Sequence, residues 1–350
     1  GQIKRSSFTT FGHLTYRQSS GTVNIFGKNQ DNTRGKFEVC NDSSYFELTG
    51  GTINVVRGGG VDYGDVYLRP ASYNVTGGGT MAFLPDNIGS NQTFNIDVTC
   101  PLGNLTVDGR DNNDRATVNL MVNPLTILGN FTINDNFSVF NSNNLNVSVA
   151  GDFTNNGTYN AGSNTTTIFG GNTQTATFGV ATTFKKLIVD KTTGTAVTFT
   201  GNNTTITDSL IVNNGTLINA GALNIIAQGN IINNGTHAST GTGSLLLQGT
   251  KNQIIAGDGN GQFGNLTINN GADNGASLTA SATINGTLTL TTGYLYINEY
   301  LLTLSSTASI GGTTGNPANK NWIRTNGVLS DAGLRKIFPA TSPTSFTFPI

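Results

Sequence analysis

Charged side chains are scarce in this chain: Asp, Glu, Lys and Arg make up 11% of its 350 residues, against about a quarter in a typical globular protein. The formal net charge is −1, so there is no electrostatic case for a nucleic-acid partner or for an anionic membrane surface. Proline is scarce too, at 8 residues, which excludes collagen and proline-rich linkers. No apolar run reaches the length of a membrane-spanning helix. Residue 1 is Gly rather than Met, and no signal peptide is recognisable. The stretch Ser345-Phe-Thr-Phe-Pro-Ile350 stops inside an apolar, strand-like run, so the sequence reads as a piece of a longer protein. The 2 cysteines, Cys40 and Cys100, make no zinc site by themselves. If they pair, they close a loop worth roughly 4 kcal/mol in the chain-entropy picture. Two buried free thiols are the simpler reading.

Glycine is plentiful at 46 residues, and Asn and Thr are abundant beside it. Apolar content is 36%, which is low, but it is patterned, and patterning argues against disorder. The pattern is clearest between Thr283 and Leu304. Leu288/Leu290, Leu295/Ile297 and Leu302/Leu304 are apolar pairs two apart that recur every seven residues. Spacing by two puts both members of a pair on one face of a strand. A step of seven leaves room for one short strand and one sharp bend. Three such steps make about 21 residues, the size of one coil of a β-solenoid.

A longer period lies above the coil. Leu102-Gly-Asn-Leu-Thr-Val107, Phe184-Lys-Lys-Leu-Ile-Val189 and Phe263-Gly-Asn-Leu-Thr-Ile268 are versions of one phrase, with central leucines at 105, 187 and 266. Gly151-Asp-Phe-Thr-Asn-Asn-Gly-Thr158 matches Gly229-Asn-Ile-Ile-Asn-Asn-Gly-Thr236, and Gln174 matches Gln253, at nearly the same offset. Four coils of about 20 residues fill one such repeat of about 80. Asn-Asn-Gly recurs at 155–157, 213–215, 233–235 and 269–271. These residues tolerate positive φ and suit the bends, and Asn side chains at equivalent bends can form amide ladders between coils. A hairpin meander could use the same turns but explains neither the seven-residue steps nor the long repeat. The fold class expected is therefore all-β, a right-handed parallel β-helix.

Its expected divisions are irregular coils over residues 1–95, regular coils over 96–316, and a capping or linking segment over 317–350. The last carries the single Trp, and Ser330–Phe338 reads as a short helical turn capped by Ser330.

Candidate sites are few. Asp108-Gly-Arg-Asp-Asn-Asn-Asp-Arg115 is the densest charged segment. Asp108, Asp111 and Asp114 offer clustered oxygen ligands of the kind Ca²⁺ takes, yet Arg110 and Arg115 oppose a cation and the spacing is not that of an EF-hand. A solvated loop is the simpler reading. His13 and His237 are far apart and sit in no catalytic motif, and no acidic pair stands out as glycosidase acid and nucleophile. Tyr294 and Tyr296 lie on the face opposite Leu295 and Ile297, either as a platform for sugar rings or as cross-strand packing. Asn-x-Ser/Thr triplets such as Asn130-Phe-Thr132 are expected by chance here, and the Thr positions are too irregular for ice binding.

The phrase Phe263-Gly-Asn-Leu-Thr-Ile268, continued by Thr283-Ile-Asn-Gly-Thr-Leu-Thr-Leu290, Leu302-Thr-Leu304 and Phe346-Thr-Phe-Pro-Ile350, resembles very large secreted surface proteins of Bacteroidota. These include gliding-motility adhesins and other cargo of the type IX secretion system, and the likeness covers roughly residues 96–350. It implies export by the secretion machinery, a place in a cell-surface filament or adhesin, and further modules beyond Ile350. The C-terminal sorting domain typical of such cargo is absent from this stretch. Asp208-Ser-Leu210 is similar to the O-glycosylation acceptor of that phylum, which implies Ser209 as the modified residue. The function expected is a non-catalytic, extracellular, structural or adhesive shaft with no resident cofactor and with surface polysaccharide or other cells as partners. The alternative is a carbohydrate-binding or carbohydrate-active β-helix, which clustered Asp, Lys or Arg in a groove would favour.

Overall fold

The structure, a computed structural model, describes residues 2–4, 12–27, 35–60, 62–271, 275–312, 314–340 and 345–350. Among them there is no helix, and short parallel strands build a β-solenoid. Cα packing divides the chain into two units, Gly1–Thr167 with Gln174–Thr182, and Ile168–Thr173 with Thr183–Ile350.

In the first unit two parallel sheets run the length of the stack, and a third joins them at Leu125–Ile127 and Val147–Val149, from which point each coil carries three short strands. Of the two long sheets, one stacks Thr15–Gln18, Phe37–Leu48, Val66–Val75, Gln92–Val98, Ala116–Leu120, Ser138–Asn141 and Thr158–Asn160 in chain order. The other stacks Thr22–Ile25, Thr52–Val55, Thr80–Phe83, Asn104–Val107, Phe131–Ile133, Phe153–Asn155 and Gln174–Phe178. Equivalent residues in successive coils fall into inward columns. Met81, Leu105, Phe131, Phe153 and Ala176 form one such column, and each is buried. The rings of Phe131 and Phe153 stack at 4.9 Å and 9°, the offset geometry that aromatic pairs favour.

In the second unit Thr204–Asn214 is one long strand that splits. Its first half lies in register with Ile225–Ala227 and its second half with Asn230–Asn233. From there each coil carries three short strands, down to Ser309–Gly311, Ile323–Thr325 and Leu334–Lys336. Ile225, Leu245, Leu266, Leu288 and Ile310 align at intervals of 20 to 22 residues. The three seven-residue pairs at 288/290, 295/297 and 302/304 occupy the three strands of one coil, and all six side chains are buried. Leu187, Val189, Leu266 and Ile268 of the repeated phrase are also buried, as are Leu210, Val212, Leu223 and Ile225 of the coils between.

The long repeat has a physical counterpart. Gln174 is buried and its amide donates to the carbonyls of Val149 and Gly151. Gln253, one repeat later, donates to Ala227 O at 2.9 Å and Gly229 O at 2.6 Å. Each glutamine thus satisfies the bend carbonyls of the Gly-x-apolar phrase one coil before it, which a buried backbone requires.

Asn side chains bond from coil to coil at the bends, where Asn203 Oδ1 accepts from Asn224 N and Asn224 Oδ1 from Ser244 N. A direct amide ladder also runs up the outward face of the strands: Asn119 donates to Asn95, Asn141 to Asn119 and Asn160 to Asn141, at 2.6–3.1 Å. Two local expectations change. In Asn-Asn-Gly, the glycine has positive φ at Gly215 (71°) but not at Gly157 or Gly235. A Cβ at Gly157 would lie 2.3 Å from Asp135 O, so that glycine is set by the closeness of the neighbouring coil. Residues 330–338 form a turn followed by the strand Leu334–Lys336 rather than a helical turn. The open edge of Leu302–Leu304 captures that strand in parallel register, pairing backbone groups that a helical turn would leave unmet.

Candidate functional site

The acidic segment is engaged in its own loops. Asp108 accepts from Asn134 Nδ2 at 2.9 Å. Asp111 Oδ1 accepts from the backbone N–H groups of Asn113 and Asp114 at 2.7 and 3.1 Å. Asp114 is buried and accepts from Gly89 N at 2.7 Å and Ser90 N at 3.3 Å. Among the described residues no three His, Cys, Asp or Glu side chains converge on a metal-sized site. Asp111 and Asp114 thus cap turns. Cys40 and Cys100 are buried and form no disulfide with each other, and burial pushes the Cys100 thiol up to about 12, which makes it an inert core residue.

His13 is exposed, whereas His237 is fully buried in line with Leu217 of the previous coil. Its Nδ1 accepts from Gly264 N at 3.3 Å, and its Nε2 lies 2.9 Å from Asn219 Oδ1. An acceptor role at Nδ1 leaves Nε2 as the N–H donor, so the ring is neutral. Burial holds its pKa down to about 3. In the first unit Lys36 and Asp65 form a buried ion pair at 2.7 Å. Lys36 also donates to Gly58 O at 2.7 Å, and Asp65 accepts from Gly60 N and Asn95 N. Burial pulls the lysine down and pushes the carboxyl up, each opposed by its partner's charge. Both groups are saturated by structure.

An aromatic and cationic cluster lies on the outward face of the second unit. Strand alternation aims Leu295 and Ile297 inward and Tyr294 and Tyr296 outward. Strand Ile323–Thr325 pairs with it so that Tyr296 meets Arg324, and Leu295 meets Ile323. Trp322 and Tyr294 are therefore neighbours, with ring centroids 5.0 Å apart. Tyr294 and Tyr296 meet edge to face at 5.4 Å. The Arg324 guanidinium lies 4.9 Å from the Tyr294 centroid and 5.3 Å from that of Tyr296, and donates to the Tyr296 hydroxyl at 3.3 Å. Each such contact is worth about 0.5–1 kcal/mol at an exposed site. The three rings are half-buried and the arginine is exposed. The tyrosines were legible in the sequence as an outward pair. Trp322 and Arg324 were not assigned to the same face, although Trp-Ile-Arg repeats the outward-inward-outward order of Tyr-Leu-Tyr.

A groove of about 510 Å³ lies where the split strand diverges. Lys185, Asp208, Gln228, Asn230, Gln248 and Lys251 line it. Gly229 makes the bend possible, since a Cβ there would collide with Asp208 O. Among the described residues neither Lys185 nor Lys251 has an ion-pair partner, and Asp208 is exposed. Ser209, beside Asp208, is a partly exposed residue of Thr204–Asn214 aligned with Asn230. No sequence motif marks this groove, because its residues come from coils tens of positions apart. Comparison of the chain with protein families, with characterised proteins and with solved structures finds no match to any of them.

Proposed function

We propose that this chain is a non-catalytic adhesive segment of a cell-surface protein, a stiff β-helical shaft that presents a carbohydrate-binding face. The observation that carries the reading is the outward cluster of Tyr294, Tyr296, Trp322 and Arg324. Aromatic faces take the apolar faces of sugar rings, and a guanidinium supplies planar donors for their oxygens. A surface of Asn, Thr and Ser gives the shaft solubility with little charge. Export to the surface, as in the Bacteroidota adhesins that the repeat phrases resemble, belongs to this reading.

Binding of the purified chain to a broad glycan array tests it. Tyr294→Ala/Trp322→Ala should remove the signal while leaving the melting temperature within a few degrees, since both side chains lie outside the core. Retained binding in that variant would sink the platform. A carbohydrate-active role is the second reading, favoured by the carboxylate of Asp208 lying in a groove with Lys185 and Lys251. It requires cleavage products from a glycan incubated with the protein, and their loss in Asp208→Asn.

A further inference from the structure

The groove and the aromatic cluster are two ends of one track. Strand register places Ser209 beside Asn230, Ile254 beside Ser277, Ser277 beside Tyr296 and Tyr296 beside Arg324. Ile231 pairs with Ile255, and Ile254 N donates to Asn230 Oδ1 at 2.9 Å, which joins the file across its remaining step. The file runs Ser209, Asn230, Ile254, Ser277, Tyr296, Arg324, all outward. Five steps of about 4.8 Å make it about 24 Å long. A second file lies beside it. Gln253 N donates to Gly275 O, Ala276 N to Tyr294 O, and Leu295 N to Trp322 O, so Asn252 of the groove leads through Gly275 to Tyr294 and Trp322.

The chemistry along the track is specific in kind. The groove end carries Lys185 and Lys251, two ammonium groups that pair with no carboxylate among the described residues, and the carboxylate of Asp208. The middle offers Ile254, an exposed apolar side chain at 38%, beside a glycine. The far end offers three aromatic rings and a guanidinium held against two of them. Arg324 spends one N–H on the Tyr296 hydroxyl, which leaves further donors of its fork for an incoming carboxylate. Apolar ring faces, bridging amides and cations at both ends match a linear polymer of sugars that carry carboxylates. The step between coils is close to the length of one sugar in an extended chain, so successive sugars would meet successive coils.

We infer that this track binds an acidic, linear polysaccharide, a polyuronate, laid parallel to the solenoid axis from the Lys185–Lys251 groove to the Tyr294–Trp322–Arg324 cluster. The inference rests on the carbohydrate-binding reading above and adds the ligand class, its direction and the groove.

The test is calorimetric titration of the whole chain with polygalacturonate and with the same polymer after methyl esterification, which keeps the sugars and removes the charge. The acidic polymer should bind, weaken with added salt, and exceed the ester in affinity by about tenfold or more, as charge-assisted hydrogen bonds at three cations allow. Lys185→Glu/Lys251→Glu should lower polyuronate affinity by about tenfold while leaving affinity for the ester and the melting temperature unchanged. Tyr294→Ala/Trp322→Ala should weaken both polymers. Equal affinity for polymer and ester, or no effect of the lysine reversal, overturns the acidic class and the groove while the aromatic platform stands. Binding of neither polymer, with neutral glycans captured on the array, overturns the ligand class alone. Silence toward both polymers and the array overturns this inference and the reading it rests on.

Discussion

The buried imidazole of His237 gives the sharpest test of the interior. In the folded chain its Nδ1 accepts the Gly264 amide proton and its ring lies among apolar columns. Protonation would set two N–H groups toward one another inside the core, and burial accordingly holds its pKa down to about 3. In the unfolded chain histidine titrates near 6.5. The folded value lies below the unfolded one, so this contribution to stability is complete above about pH 6.5. It declines as the pH falls, because the unfolded chain takes up a proton that the folded chain refuses. The slope for one proton is about 1.4 kcal/mol per pH unit, so the loss between pH 7.5 and 4.5 is about 2.5–3 kcal/mol. Denaturant unfolding at these two pH values measures the total, which also includes carboxylates. Subtracting the same experiment on His237→Leu isolates the histidine, since leucine already fills the aligned place at Leu217. The variant costs stability at pH 7.5, because Gly264 N loses its acceptor, but it should lose about 2.5–3 kcal/mol less on acidification. Equal acid sensitivity in the two proteins would refute the argument. So would an NMR titration near pH 6.5 assigned to the His237 imidazole in the folded state.

Four further outcomes follow from the packing. Leu266→Asp sets a charge in the column between Leu245 and Leu288 and should cost more than the ~2–5 kcal/mol of Leu266→Ala; an unchanged melting temperature would contradict the assignment. Lys36→Met strands the Asp65 carboxylate and should cost about 3–5 kcal/mol, whereas Lys36→Met/Asp65→Asn should regain much of it, as a double-mutant cycle in thermal unfolding would read. Gln253→Leu removes one of the two donors to Ala227 O and the side-chain donor to Gly229 O and should cost about 1–3 kcal/mol, with hydrogen exchange rising first around residues 227–231. Asp111→Ala/Asp114→Ala should weaken the loop at 108–115 without creating or abolishing any Ca²⁺ dependence of the melting temperature, because these carboxylates already accept from backbone N–H groups; a Ca²⁺-dependent shift in the parent chain that the variant loses would support the metal reading instead.

The apolar pairs at 288/290, 295/297 and 302/304 made the coil legible, because a strand shows its buried face with period two and each bend interrupts it at a fixed step. The Gln174 and Gln253 match was legible as a repeat, but its cause was not. The carbonyls it satisfies lie one coil earlier, at a distance along the chain that carries no local signal. Coil-to-coil bonding of Asn side chains was expected at the bends and occurs there, at 203 and 224, but the direct amide-to-amide ladder lies on the strands at 95, 119, 141 and 160. Outward strand positions stack as regularly as bends do, and nothing in one strand says which neighbour its amide will meet.

The sequence alone determined the class of architecture and the identity of the core. Periodicity is a local property, and burial of apolar side chains follows from it wherever coils stack. It also determined that Tyr294 and Tyr296 face outward, since strand alternation decides that within three residues. Only the tertiary structure decided what those tyrosines stand beside. The register between coils brought Trp322 and Arg324 against them and drew Lys185, Asp208 and Lys251 around one groove. In a solenoid the neighbours that make a site come from the coils before and after, so the site is set by the lengths of the intervening bends rather than by any one stretch of residues.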